Sequence, residues 1–135
     1  MKRKPNWQEL LQDEFFLARN REFSWGKNDC AIFCAQCVER MTGYHVTADM
    51  KKKFSWKNKK EGIKLLASRA FMDMTSDVLG IPSAVNECTE GDVILVQNEG
   101  HLLLGMHEGH FVISVSESGI AKVPLENAVC GWRIP

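Results

Sequence analysis

Two side chains in this sequence have the types and placement to do chemistry together. Cys30 ends the stretch Phe23-Ser24-Trp25-Gly26-Lys27-Asn28-Asp29-Cys30, a Gly-containing turn followed by two residues that can cap a helix. With Asn28 or Asp29 accepting the free N–H groups of the first turn, Cys30 falls where the positive end of the helix dipole favours thiolate over thiol. A thiolate nucleophile needs a base. The histidines are His45, His101, His107 and His110. His45 follows a helix end, and His107 and His110 flank a tight turn, so all three read as surface residues. His101 heads a strand in the middle of the strand-rich half. A helix packed on that sheet can bring Cys30 and His101 together. The imidazole then takes the thiol proton and later protonates a leaving amine.

The other cysteines need a separate account. Cys30, Cys34 and Cys37 give Cys-x3-Cys-x2-Cys, a spacing also used by radical-SAM enzymes to hold an iron–sulfur cluster. Those enzymes place it in an open loop of a large partial barrel, which 135 residues cannot build. Here the three fall at i, i+4 and i+7 of one helix face that also carries Phe33, Val38 and Met41, so Cys34 and Cys37 read as small core hydrophobes. No second Cys/His pair stands at finger spacing, so zinc is not expected. Cys88 and Cys130 precede strands and read as structural. No metal or other cofactor is expected.

The elements that must position the pair follow from periodicity. Trp7, Leu10, Leu11, Phe15 and Ala18 repeat at helical spacing and predict an amphipathic helix over about residues 7–20, with Asn6 and Glu9 as its capping box. A second helix runs from about Cys30 to Met41 and stops at Thr42-Gly43. Glu61 to about Phe71 predicts a third, on the pattern of Ile63, Leu65, Leu66 and Ala70. From Glu90-Gly91-Asp92 the period changes to two. Strands are expected at Val93–Val96, His101–Met106, His110–Val115 and Ile120–Val123, separated by glycine turns, with a last one at Trp132-Arg133-Ile134. Helices first and then an antiparallel meander is the α+β pattern, here in a single domain spanning residues 1–135.

Composition narrows the function classes. Lys+Arg and Asp+Glu balance at 17 each, so no global charge argues for nucleic acid or a membrane surface. The basic start Met1-Lys2-Arg3-Lys4 is not followed by a signal-type apolar run, and no stretch reaches the roughly eighteen apolar residues of a membrane span. The expectation is a chain made in the cytoplasm without a cleaved signal, its five cysteines free thiols rather than a disulfide framework. Charge is concentrated at Lys51–Lys60, six lysines around Phe54 and Trp56. A solvated face with its aromatics tucked inward is the favoured account; the alternative is a patch for a polyanion.

Taken in order, Trp25-Gly26-x-x-Asp29-Cys30, Gly91-Asp92-Val93-Ile94, His101-Leu102-Leu103-Leu104-Gly105 and Gly109-x-Phe111 resemble the NlpC/P60 peptidases, papain-like cysteine peptidases that cut the peptide stems of bacterial cell wall. The compact Phe-x-Trp-Gly-x-x-Asp-Cys version and the ending with Pro124 and Gly131-Trp132-Arg133 resemble the short members encoded by tailed phages and prophages. The resemblance runs from about residue 7 to the end. It implies a papain-like fold, Cys30 as nucleophile and His101 as base, Trp25 and Asp29 at the substrate, a peptidoglycan stem peptide as substrate, and a place in a phage tail beside other tail proteins. Three positions depart from the pattern. Phe23 stands where the family usually has Tyr, and Asp29-Cys30-Ala31-Ile32 where it has Asp-Cys-Ser-Gly. The polar residue that orients the base falls on Ile113 in an ungapped overlay. Ser114 takes that place if the hairpin register differs by one residue, since a slip of one exchanges the two faces of a strand. A three-residue turn centred on Glu108 puts Ile113 on His101's face, and a two-residue Glu108-Gly109 turn puts Ser114 and Ser116 there. The departures keep a second expectation open, a catalytically degenerate tail component that retains the fold for assembly.

Overall fold

A computed structural model describes residues 1–53, 58–66 and 69–135. Within them lie five α-helices, α1 (Trp7–Ala18), α2 (Cys30–Thr42), α3 (Val46–Lys53), α4 (Lys59–Leu66) and α5 (Arg69–Leu79). They precede a five-stranded sheet: β1 (Val93–Asn98), β2 (His101–His107), β3 (Phe111–Ser116), β4 (Gly119–Pro124) and β5 (Ala128–Trp132). The α+β class and the helices-then-strands order match the sequence expectation. The described helices also include α3 and a separate α5. The side chains at 65, 66 and 70, part of the pattern used to predict one helix over 61–71, lie outside the described residues, as does 54–57 of the lysine run.

α2 is the centre of the helical layer. It contacts α1 and α3 on its flanks and β2 and β3 beneath it. The expected stripe of Phe33, Cys34, Cys37, Val38 and Met41 is buried, and so are Ala31, Ile32 and Ala35. A helix apolar nearly all round is a core helix rather than an amphipathic surface one. Its ends are fixed by sequence. Asp29 caps the start, and Gly43, at a left-handed φ of 81°, ends it by donating to the Glu39 carbonyl at 2.7 Å. α1 begins at Trp7 as expected, but Asn6 makes no side-chain cap.

The sheet is antiparallel with strand order β4-β3-β2-β1-β5. β1 and β2 form a hairpin that pairs Asn98 with His101 across the two-residue turn Glu99-Gly100. Both turn residues have positive φ, 51° and 82°, the twist that a type I′ hairpin needs. The last strand does not extend the meander. It returns to pair with β1, Trp132 opposite Val93. Strand alternation divides the sheet's side chains between two clusters. Val93, Leu95, Leu104, Met106, Val115 and Trp132 pack with the helices. Ile94, Val96, Val112 and Val123 form a smaller core with Cys88 on the other face.

β2 and β3 touch less than their neighbours do. They pair at Met106–Ile113 and His107–Val112. Gly105 allows this close approach, because a Cβ there would overlap the Val112 methyl and sit 2.8 Å from the Ile113 carbonyl. His107, expected at the surface of the turn, is buried, and its Nδ1 accepts the Gly109 N–H at 3.0 Å. Burial pushes its imidazole below the usual value. The ends of the chain are tied by Asp92, which is buried. Its Oδ1 takes Arg3 Nη2 and the Ile134 N–H, both at 2.9 Å, and its Oδ2 takes the Thr89 N–H at 2.8 Å.

Candidate active site

The turn before Cys30 is closed by its own backbone. Ser24 and Asn28 exchange N–H···O bonds at 3.2 and 2.7 Å, and the Asn28 amide donates to the Glu22 carbonyl at 2.7 Å. That leaves Asp29 as the cap. Its Oδ1 accepts the Ile32 N–H at 3.0 Å and its Oδ2 accepts the Gly26 N–H at 2.8 Å, with the residue completely buried. Both carboxylate oxygens thus hold the backbone that delivers Cys30.

Cys30 lies at the helix start, with 2% of its surface exposed. Burial pushes its thiol from 9.0 up to about 12, and the Asp29 charge adds to the rise. The N–H groups of Leu104, Ala31 and Cys30 act on the sulfur in the opposite direction. The Leu104 contact follows from strand register. On β2 the odd-numbered residues from His101 to His107 bond to β1, so the Leu104 N–H and C=O point toward β3. There the Cys30 sulfur meets the N–H, and the Ser114 hydroxyl donates to the C=O at 2.6 Å. Two side chains therefore plug the gap where β2 and β3 part.

Cys30 and His101 line one cavity of about 180 Å³ at this end of the sheet. Phe23 and Trp25 from the turn also line it, their rings edge to face with centroids 5.0 Å apart. Ile63 of α4 and the tips of two hairpins, Asn98-Glu99 and Ser116-Glu117-Ser118, complete the lining. His101 is exposed. Its backbone precedes Leu104 by three residues, about 10 Å of extended chain.

The β2–β3 register decides which residues share His101's face. Met106 opposite Ile113 puts Ile113 on the helix-packed face, and alternation puts Ser114 and Ser116 on the face of His101. Ser116 lines the cavity with His101, whereas Ser114 is buried with its hydroxyl on Leu104. The hairpin tips were absent from the sequence-level site. Their signal was available: in an antiparallel meander the turns after β1 and β3 lie at the same end of the sheet. Gly62, inside α4 and against Trp25, is a second such signal.

Among the described residues, no group of three or more His, Cys, Asp or Glu side chains is placed to hold a metal ion, and no helix is long and apolar enough to cross a membrane. The cysteines are free.

Fold and site together define a helix-on-sheet protein with a helix-capping Asp-Cys pair and a cavity shared with a strand-edge histidine. A family model for a domain of unknown function, DUF6950, matches residues 2–134, and the chain belongs to that family. No curated protein matches it.

Asp29→Asn tests the electrostatics at the helix start. Asparagine can keep the cap while removing the charge that helps raise the thiol. The pH at which Cys30 becomes half-alkylated by iodoacetamide in a fixed time should move downward, with helix content by circular dichroism unchanged.

Proposed function

We propose that this protein is a papain-like cysteine hydrolase of NlpC/P60 type that cleaves an amide bond in peptidoglycan stem peptides. The observation that carries this reading is the cavity lined by both Cys30 and His101 at the N-terminus of α2. The Cys30 sulfur attacks the amide carbonyl, and His101 removes the thiol proton and delivers it to the leaving amine. As the sulfur attacks, the Cys30 and Ala31 N–H groups that act on it at rest pass to the developing oxyanion. A water then releases the acyl group from sulfur and restores the thiol. The order of sequence motifs supports the cell-wall substrate and a phage-tail setting.

The test is digestion of purified peptidoglycan by wild type, Cys30→Ala and His101→Ala, with the released fragments mapped by mass. Cys30→Ala should abolish release, and His101→Ala should slow it by about 10²–10⁴-fold, the usual contribution of a general base. Release that survives Cys30→Ala removes Cys30 from the mechanism.

A second reading is favoured by one observation, the closed state of Cys30: it is 2% exposed, and burial pushes its thiol up to about 12. On that reading the chain is a non-catalytic tail component that keeps the fold for assembly. Wild type that releases no fragments but binds other tail proteins would establish it.

A further inference from the structure

α4 contributes Ile63 to the wall of the cavity that Cys30 lines, and three contacts seat the helix there. Gly62 rests on the Trp25 ring so closely that a Cβ at this position would overlap the ring carbons. Ile63, the next residue, lines the cavity with Cys30. Lys59, in the first turn of α4, reaches across to Glu117 in the β3–β4 turn at 3.2 Å. Glu117 also lines the cavity, so α4 bridges one wall to the opposite one.

Two further observations fit a cover over the cleft. Cys30 lines a cavity and is nevertheless 2% exposed. Among the described residues the buried Trp25 indole N–H has no hydrogen-bond partner, although buried tryptophan N–H groups usually find one. The glycine is informative too. Alanine is the better helix former at an interior position, and here the Trp25 ring occupies the space its methyl would need.

We propose that α4 is a movable cover of this cleft, seated by Gly62 on Trp25, and that Cys30 becomes reachable from solvent only when α4 shifts. The Lys59–Glu117 pair is a minor contact, because both side chains are more than half exposed and such pairs contribute little. The Gly62–Trp25 seat is the main one. The proposal does not depend on the chemistry that Cys30 performs, and its test uses no substrate.

The experiment is iodoacetamide alkylation of the reduced full chain, followed site by site by mass spectrometry. Cys34, one turn further along α2 and 1% exposed, serves as an internal gauge of general unfolding. Gly62→Ala should raise the alkylation rate at Cys30 at least tenfold and leave Cys34 unchanged. Lys59→Ala should change the Cys30 rate less than threefold. An unchanged Cys30 rate in Gly62→Ala overturns the proposal. So does a parallel rise at Cys30 and Cys34, which would mark loss of the fold rather than movement of α4. Where Gly62→Ala does not fold, Ile63→Ala decides. It removes a cavity-facing side chain of the cover without pressing on Trp25, and it should raise Cys30 alkylation selectively; an unchanged rate overturns the proposal.

Discussion

Asp92→Ala should destabilise the protein by about 3–5 kcal/mol, the usual cost of removing one partner of a buried ion pair. The carboxylate is 2% exposed and its Arg3 partner 13%, so solvent screening relieves little of the loss. Three donors lose their acceptor together: Nη2 of Arg3, the Ile134 N–H and the Thr89 N–H. The consequences spread beyond the pair. Arg3 also donates to the Ile134 carbonyl at 2.7 Å and the Glu90 carbonyl at 2.9 Å, and it lies over the Trp7 ring at 4.1 Å. Without Asp92 the first and last segments lose their common anchor. Against a typical total of about 5–15 kcal/mol, the variant should be partly unfolded at 37 °C. Urea unfolding measures it. With a slope of about 1–3 kcal/mol/M, the midpoint should fall by about 2 M. Asp92→Asn keeps the shape and one acceptor oxygen and should lose less. Equal midpoints for Asp92→Ala and wild type would show that the clamp contributes nothing to stability.

The second large effect is alkaline. In the unfolded chain the Cys30 thiol gives up its proton near 9.0, whereas in the folded chain burial holds it to about 12. Between those values the folded state binds more protons than the unfolded state, so stability is full below pH 9 and falls as pH rises. At about 1.36 kcal/mol per unit, Cys30 alone removes on the order of 2 kcal/mol by pH 10.5 and on the order of 4 kcal/mol by pH 12. Cys34 and Cys37 are also raised well above 9.0, chiefly by burial, and act in the same direction. Urea unfolding under reducing conditions at pH 8 and pH 10.5, for wild type and Cys30→Ala, isolates the Cys30 share. Any stability advantage of wild type over Cys30→Ala at pH 8 should shrink by about 2 kcal/mol at pH 10.5. A difference that stays constant with pH would mean that the folded thiol titrates as it does in the unfolded chain.

Periodicity made much of the fold legible. α2 starts at Cys30 and stops at Gly43 because cap, apolar run and glycine all agree, and β1 and β2 begin where the alternation does. What escaped was decided by contacts distant in sequence. β5 pairs with β1 rather than extending the meander because Trp132 packs under the helices opposite Val93. His107 is buried by the sheet and by a turn N–H that its own ring accepts, neither of which a turn pattern announces.

The candidate site was legible in part for the same reason. Asp29 and Cys30 are local features, and a two-residue turn fixes His101 at the head of its strand. The face on which Ile113 and Ser114 lie depended on a hairpin register that two turn lengths fitted equally well. The hairpin closes with the Glu108 N–H on the Phe111 carbonyl across Gly109-His110, a two-residue turn one position beyond Glu108-Gly109, and it puts Ser114 and Ser116 on the face of His101. The environment of the sulfur lay furthest from view, since it is set first by burial and then by groups that include one backbone N–H on β2.

That N–H has a mechanical consequence. The sheet is made of two ribbons, β5-β1-β2 and β3-β4, joined by main-chain bonds at the His107 end. At the other end the seam is crossed by one side-chain bond, from the Ser114 hydroxyl of β3 to the Leu104 carbonyl of β2, and the Cys30 sulfur of α2 takes the Leu104 N–H beside it. A sheet built like this does not flex evenly. Twisting or prying one ribbon against the other concentrates the deformation at the weak end of the seam, where Leu104 touches Cys30 and Ser114. The cysteine thus ties α2 to β2 at the weak end of the seam as well as being the candidate nucleophile. Chemistry that occupies its sulfur removes the helix-to-strand contact beside that weak end.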